Sequence, residues 1–137
     1  GVKPLIDRLA DRGHLAVVST RSTRDAEAFL NQHDLSSHFE CIVGQETTKR
    51  LKPHPAPIRH AVHALNLPVE ACVMVGDTPV DVRAARRAGA WAVGVLCGFG
   101  EAHELEAAGA HRVVTTTADL MALIDRQQTE HRQACRA

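Results

Sequence analysis

The chain lacks net charge: sixteen Lys and Arg balance sixteen Asp and Glu over 137 residues. That balance excludes a generally basic nucleic-acid binder. No apolar run approaches the ~20 residues of a membrane span, and no signal-type apolar segment opens the sequence. There is no Cys-x-x-Cys pair. Cys41, Cys72, Cys97 and Cys135 are scattered, three of them in or beside apolar runs. Buried thiols in a reducing cytoplasm therefore fit better than disulfides or a zinc site. Internal repeats, linkers and low-complexity stretches are also missing, and the length suits one domain.

What is there is an alternation of two periods. Short β-type runs recur at His14–Ser19, Phe39–Val43, Ala71–Val75, Trp91–Val95 and Arg112–Thr115. Most are continuously apolar, as parallel strands covered on both faces are. Helical spacing lies between them: Ile58, Ala61, Val62 and Leu65 form one stripe, Ala26, Phe29 and Leu30 another, and Leu120, Leu123 and Ile124 a last one. Ser22 reads as an N-cap with Asp25 at the third helical position. Gly13, Asn66, Gly89 and Gly109 fall where a helix end wants a left-handed residue. The pattern predicts an α/β fold, a doubly wound Rossmann-like parallel sheet with helices on both faces. The core is expected over residues 1–125. From Arg126 to Ala137 the apolar stripe is lost, and this polar tail is expected to fray.

Ligands of such sheets bind beyond the carboxyl ends of the strands, so the residues leaving each strand carry the functional signal. Ser19-Thr20-Arg21-Ser22 follows the first strand; its hydroxyls read either as anion donors at a helix N-terminus or as a simple cap. Leu51-Lys52-Pro53-His54-Pro55 follows the second. Its prolines stiffen the backbone around Lys52, whose ammonium suits a phosphate or carboxylate, against the default of a solvated lysine. Gly76-Asp77-Thr78-Pro79-Val80-Asp81 follows the third. Asp77 and Asp81, one helical turn apart, read either as a Mg²⁺-binding pair or as an N-cap and a first-turn aspartate. Gly98-Phe99-Gly100 forms a flexible loop after the fourth strand and is too short for a dinucleotide fingerprint. His54, His60 and His63 read as ordinary surface or loop residues.

A hydroxyl, a lysine and paired carboxylates at consecutive strand ends resemble the haloacid dehalogenase-like superfamily, particularly its phosphoglycolate phosphatase-like branch. Val17-Val18-Ser19-Thr20-Arg21 looks like the second motif, Leu51-Lys52-Pro53 the third, and Gly76-Asp77-Thr78-Pro79-Val80-Asp81 the fourth. The resemblance spans about Gly1 to Ile124; in most relatives Thr20 would be Asn. It implies a Mg²⁺-dependent phosphomonoester hydrolase working through an aspartyl-phosphate on a small phosphorylated metabolite. By the same resemblance Ser19, Thr20, Arg21 and Lys52 bind phosphate, Ser19, Lys52 and Asp81 serve catalysis, and Asp77 and Asp81 hold the metal.

The family's first motif, an Asp-x-Asp loop after a leading strand, has no counterpart here; Asp7 and Asp11 lie on a predicted helix with other spacing. The sequence thus resembles the second half of such a phosphatase, without first strand, nucleophile and cap, and is expected to be inactive alone. In that family the missing strand lies between those ending at Ser19 and Val75. The gap is expected to be closed by direct strand pairing, by chain exchange in a homodimer, or by an N-terminal or partner segment. A non-catalytic phosphate- and metal-binding pseudo-enzyme or regulatory module is the alternative. A receiver-like domain fits less well, because Lys52 precedes Asp77 instead of following the acidic pair.

Overall fold

A computed structural model describes the backbone of residues 1–136 and the side chains of residues 1–127. The helix α1 (Val2–Ala10) leads into β1 (Ala16–Val18), α2 (Thr23–Gln32), β2 (Cys41–Val43) and α3 (Ala56–Ala64). Then follow β3 (Val73–Gly76), α4 (Pro79–Ala88), β4 (Trp91–Val95), α5 (Ala102–Ala107), β5 (Arg112–Val114) and α6 (Thr117–Arg136). Single 3-10 turns precede β2 and β3 at Ser36–His38 and Val69–Ala71. All five expected strands are present: β1, β2 and β5 are shorter than expected, β3 is shifted to Val73–Gly76, and β4 has the expected bounds. None of the described helices is long and apolar enough to cross a membrane.

Every strand pairing is parallel, as strand–helix alternation requires. The strands do not, however, form one sheet. β1 pairs with β2, Val17 opposite Ile42. β4 pairs with β3 on one side and β5 on the other, Val93 lying opposite Val75 and Arg112. Among the described residues β1 and β3 share no ladder, so the direct pairing expected as one closure of the gap does not occur. Each instead presents an unpaired edge.

Two apolar layers hold the halves together. On one face α3 and α4 pack against each other, α3 on β1 and β2, α4 on β3 and β4. Ile58 meets Val82, Ala84, Ala85 and Ala88 there, with Ala92 and Leu105. The alanines of α4 present almost no side-chain bulk, which lets the helix pack closely. On the other face α1 and α6 bury Leu5, Leu120, Met121 and Leu123 around Val93 of β4. This second layer stops short of β3. Met74 points into the first core, but Val73 and Val75, on the opposite face by strand alternation, remain 41% and 37% exposed. The expectation that the strands are covered on both faces therefore holds for β4 and fails for β3. An apolar strand has lost one neighbour's cover.

Helix ends follow local chemistry. Ser22 accepts the backbone N–H of Asp25 at 3.1 Å and caps α2 as expected. Asn66, Gly89 and Gly109 adopt positive φ, of 56°, 90° and 103°. Gly13 does not; α1 closes in right-handed geometry at Asp11, and the unexpected left-handed residue is Asp34 after α2. Phe29, placed on the apolar stripe of α2, is 49% exposed while Ala26 and Leu30 are buried. The backbone of α6 stays helical through Arg136, so the tail expected to fray from Arg126 is helical as far as it is described; Ala137 lies outside the described residues. The thiols of Cys41, Cys72 and Cys97 are free, but not buried as expected: Cys41 and Cys72 are half-buried and Cys97, on the loop after β4, is exposed, while the Cys135 side chain lies outside the described residues. Burial pushes the Cys41 thiol pKa up, and burial followed by nearby Glu70 does the same to Cys72.

Candidate active site

Parallel strands aim their carboxyl ends the same way, so the segments leaving β1 and β3 meet at one edge. There an open cavity of about 630 Å³ is lined by Ser19, Thr20, Arg21, Lys52, Asp77 and Asp81, with Phe29 and Val80 on its apolar side. All six residues singled out in the sequence stand around this one space. The expected histidine picture also holds. His60 and His63 are exposed, and His54 Nδ1 accepts the N–H of Ala56 at 3.1 Å within its own turn.

Lys52 is not a solvated loop lysine. Its side chain is 9% exposed, and Nζ donates to Asp81 Oδ1 at 2.6 Å and to the Val18 carbonyl at 3.0 Å. The ammonium is thus tied to the end of β1 and the first turn of α4 together. The Lys52–Pro53 peptide is cis.

Asp81 uses both oxygens. While Oδ1 takes the lysine, Oδ2 accepts the N–H of Thr78 at 3.2 Å and its hydroxyl at 3.0 Å. Thr78 in return caps α4 by accepting from Asp81 N, a reciprocal capping box. The first-turn aspartate reading is therefore correct for Asp81, and the helix dipole favours its charge. The N-cap reading of Asp77 is not: Thr78 takes that place. Asp77 stands one residue outside the helix, its Oδ2 accepting the N–H of Phe99 at 3.2 Å, and Oδ1 has no partner among the described residues.

That unmatched oxygen bears on the metal. Mg²⁺ takes hard oxygen ligands and is commonly held by one or two carboxylates, the remaining positions going to water and substrate phosphate. Asp77 can meet this requirement: it has a carboxylate oxygen with no partner among the described residues and lines the open cavity. No group of three or more His, Cys, Asp or Glu side chains gathers among the described residues. Of the two aspartates, Asp77 is the one with an oxygen that could be offered to such an ion; Asp81 beside it is already committed to Lys52 and Thr78.

Ser19 directly follows β1, its N–H paired with the Val43 carbonyl at 2.8 Å and its hydroxyl accepting the N–H of Arg21 at 3.0 Å. The turn thus folds around Ser19. Thr20 and Arg21 are exposed at the rim.

Glu46 escapes sequence inspection. Its carboxylate accepts the N–H of Thr23 at 2.9 Å and also the Thr23 hydroxyl. The Thr23 hydroxyl, then its backbone N–H, hold the Glu46 pKa below the usual carboxylate range. The loop after β2 is thereby tied to the start of α2, behind Ser19. Gly44 makes room for this contact, since a Cβ there would collide with the Ser22–Thr23 backbone. The signal was invisible in sequence because the acid caps a helix 23 residues upstream.

Similar proteins agree with the geometry. A family profile for haloacid dehalogenase-like hydrolases matches residues 1–95. A phosphoglycolate phosphatase of Neisseria meningitidis is 39% identical over 87 residues, covering 64% of this chain and 37% of that protein. A 5'-nucleotidase of Pseudomonas aeruginosa is 33% identical over 124 residues, covering 90% and 55%. Among solved structures, a predicted phosphatase from Clostridium acetobutylicum superposes with a TM-score of 0.85 at 31% identity, covering 92% of this chain and 59% of that one. The chain spans between 37% and 57% of the length of curated relatives it matches. With its parallel α/β core and the profile match over most of its length, this chain belongs to the haloacid dehalogenase-like hydrolase family.

Proposed function

We propose that this chain supplies the charge-stabilising half of a Mg²⁺-dependent phosphomonoester hydrolase, acting through an aspartyl-phosphate on a small phosphorylated metabolite in the cytoplasm. One observation carries the reading: Lys52 is buried, fixed by Asp81 and Val18, and stands at the same cavity as Ser19 and Asp77. A preorganised cation and a hydroxyl around one space are what a transferring phosphoryl group requires, because charge spreads over its oxygens in the transition state.

Each residue then has a task. Lys52 neutralises phosphoryl charge, held in place by Asp81. Ser19 donates its hydroxyl to a phosphoryl oxygen, and Thr20 and Arg21 at the rim bind the substrate's phosphate. Asp77 offers oxygen to Mg²⁺, which when bound supplies further charge neutralisation. Asp81 acts through the lysine and orients it, as outer groups do around metal sites.

The nucleophile must come from elsewhere, since no Asp-x-Asp segment occurs in the sequence. β1 and β3 share no ladder and the segments leaving both line the cavity, so a parallel apolar strand paired in the slot between them would deliver its next residue beside Lys52 and Asp77. An N-terminal segment or a strand exchanged from a second copy would serve. The relatives named for phosphoglycolate phosphatase and 5'-nucleotidase activity support small phosphomonoesters as the substrate class.

Mg²⁺-dependent hydrolysis of p-nitrophenyl phosphate tests this. The chain alone is expected to turn over nothing, and fusion to an apolar strand ending in Asp-x-Asp to restore turnover that Asp77→Asn abolishes. Turnover by the chain alone would show that it holds its own nucleophile. Phosphate binding without turnover, even with the added strand, would favour a regulatory or pseudo-enzyme role.

A further inference from the structure

The loop after β4 touches the candidate metal residue at three points. The Phe99 N–H donates to Asp77 Oδ2 at 3.2 Å, and the Gly100 N–H donates to the Asp77 carbonyl at 2.9 Å. Gly98 lies so close that a Cβ there would fall on Oδ2 itself, and a Cβ at Gly100 would fall on the Asp77 carbonyl oxygen. Both glycines are therefore required by close approach, whatever their backbone angles. The loop was expected to be merely flexible. Instead it wraps both the carboxylate and the main chain of Asp77.

A carboxylate outside a helix can turn about its own bonds and present either oxygen. Here Oδ2 is engaged, and Oδ1 is the oxygen with no partner among the described residues. No basic side chain forms an ion pair with Asp77 among the described residues, so the loop's N–H is its side-chain anchor.

We propose that Gly98-Phe99-Gly100 is a positioning loop. Its main chain fixes the rotamer of Asp77 so that Oδ1 points into the cavity as the Mg²⁺-accepting oxygen. This rests on the metal role given to Asp77 above. The loop does not touch the metal or the substrate; it acts through the carboxylate by removing one of its two ways of turning. Metal-ligating carboxylates depend on such hydrogen bonds, and losing one commonly weakens metal affinity about 10- to 100-fold.

Gly98→Ala is the informative substitution, because it changes no charge and deletes no donor, and adds only a methyl where Oδ2 sits. In the intact protein, titration calorimetry with Mg²⁺ alone is expected to show affinity weakened by about tenfold or more. The thermal midpoint should move little, the loop being exposed. Cys97→Ala, at an exposed position on the same loop with no side-chain hydrogen bond among the described residues, should leave the affinity unchanged. In an Asp77→Asn background, Gly98→Ala should cause no further loss, since both act on the same oxygen pair. A purely structural role would lower the thermal midpoint and leave Mg²⁺ affinity alone, and that result overturns the proposal.

A second readout separates failure of the loop from failure of the metal reading. If Asp77→Asn leaves Mg²⁺ affinity untouched in the parent, the metal role of Asp77 falls. The loop is then judged by hydrogen exchange of the Phe99 amide. Loss of its protection in Asp77→Ala supports the anchor, and unchanged protection refutes it.

Discussion

Lys52 Nζ stands 2.6 Å from Asp81 Oδ1, with both side chains about one-tenth exposed. This pair joins the loop before α3 to the first turn of α4, and through the Val18 carbonyl it reaches β1 as well. It therefore couples two sheets that share no ladder. Removing one partner of a buried pair leaves an uncompensated charge and typically costs 3–5 kcal/mol, about what many domains can lose before unfolding. Asp81→Ala removes the lysine's partner and half of the capping box together. It is expected to lower unfolding stability by about 3–5 kcal/mol. Asp81→Asn keeps one acceptor oxygen, enough for Lys52 or for the Thr78 N–H but not for both, and should cost less than Asp81→Ala. Denaturant midpoints of the two variants check the order.

Gly76 sits under the same pair. A Cβ at this position would lie within van der Waals overlap of the Asp81 side chain, meeting Cγ and Oδ2 at 2.7 Å. Gly76→Ala is thus expected to displace the carboxylate from Lys52 and Thr78 together, costing roughly 1–3 kcal/mol as overpacking does. Phosphate affinity should fall with it. Unchanged phosphate affinity in a destabilised variant would separate packing at Gly76 from positioning of Lys52.

How far the sequence reached can be judged from these same residues. The strands and the meeting of Ser19, Lys52 and Asp77 at one edge were legible, because parallel α/β order fixes where strand ends go. The split of the sheet was legible only as a missing neighbour. Spacing could not reveal that β1 and β3 would stay apart, since strand runs carry no statement of their partners. Nor could it decide between Thr78 and Asp77 as the cap of α4, because both are good cap residues and the register of the turn decides. Glu46 and the Phe99 amide were hidden for a simpler reason. Each acts on a residue more than twenty positions away, one of them through its main chain alone.

The exposed edges give a third prediction. β4 is hydrogen-bonded on both sides, whereas β1 and β3 have one partner each. Hydrogen exchange should find the β4 amides the most protected, and those of β1 and β3 that face the slot close to unprotected. A parallel strand supplied to the chain should protect the slot-facing amides and shield Val73 and Val75. Substituting Val75→Lys should leave the free chain's stability nearly unchanged, since that side chain is already 37% exposed, and weaken strand capture. If the slot amides are as slow as those of β4 in the isolated chain, the open-edge picture is wrong.

The last prediction concerns acid. His111 stacks on Trp91 and lies against Arg86, whose Nη1 is 2.7 Å from Nε2, while the Ala92 N–H donates to Nδ1 at 3.0 Å. Burial, followed by the charge of Arg86, lowers the His111 pKa below its ordinary 6.5, against an opposing pull from the Ala92 contact. The folded state thus holds the ring neutral more strongly than the unfolded chain does. Below pH 6.5 the unfolded chain binds the extra proton first, so stability is lost as pH falls from 6.5 toward the folded pKa and is fully present above 6.5. His111→Gln removes the titration and keeps a polar side chain beside Arg86. Between pH 7.5 and 5.5 the parent should lose more stability than the variant, measured as the difference between their denaturant midpoints at the two pH values. Equal losses would mean that burial and the charge of Arg86 do not disfavour protonation of His111.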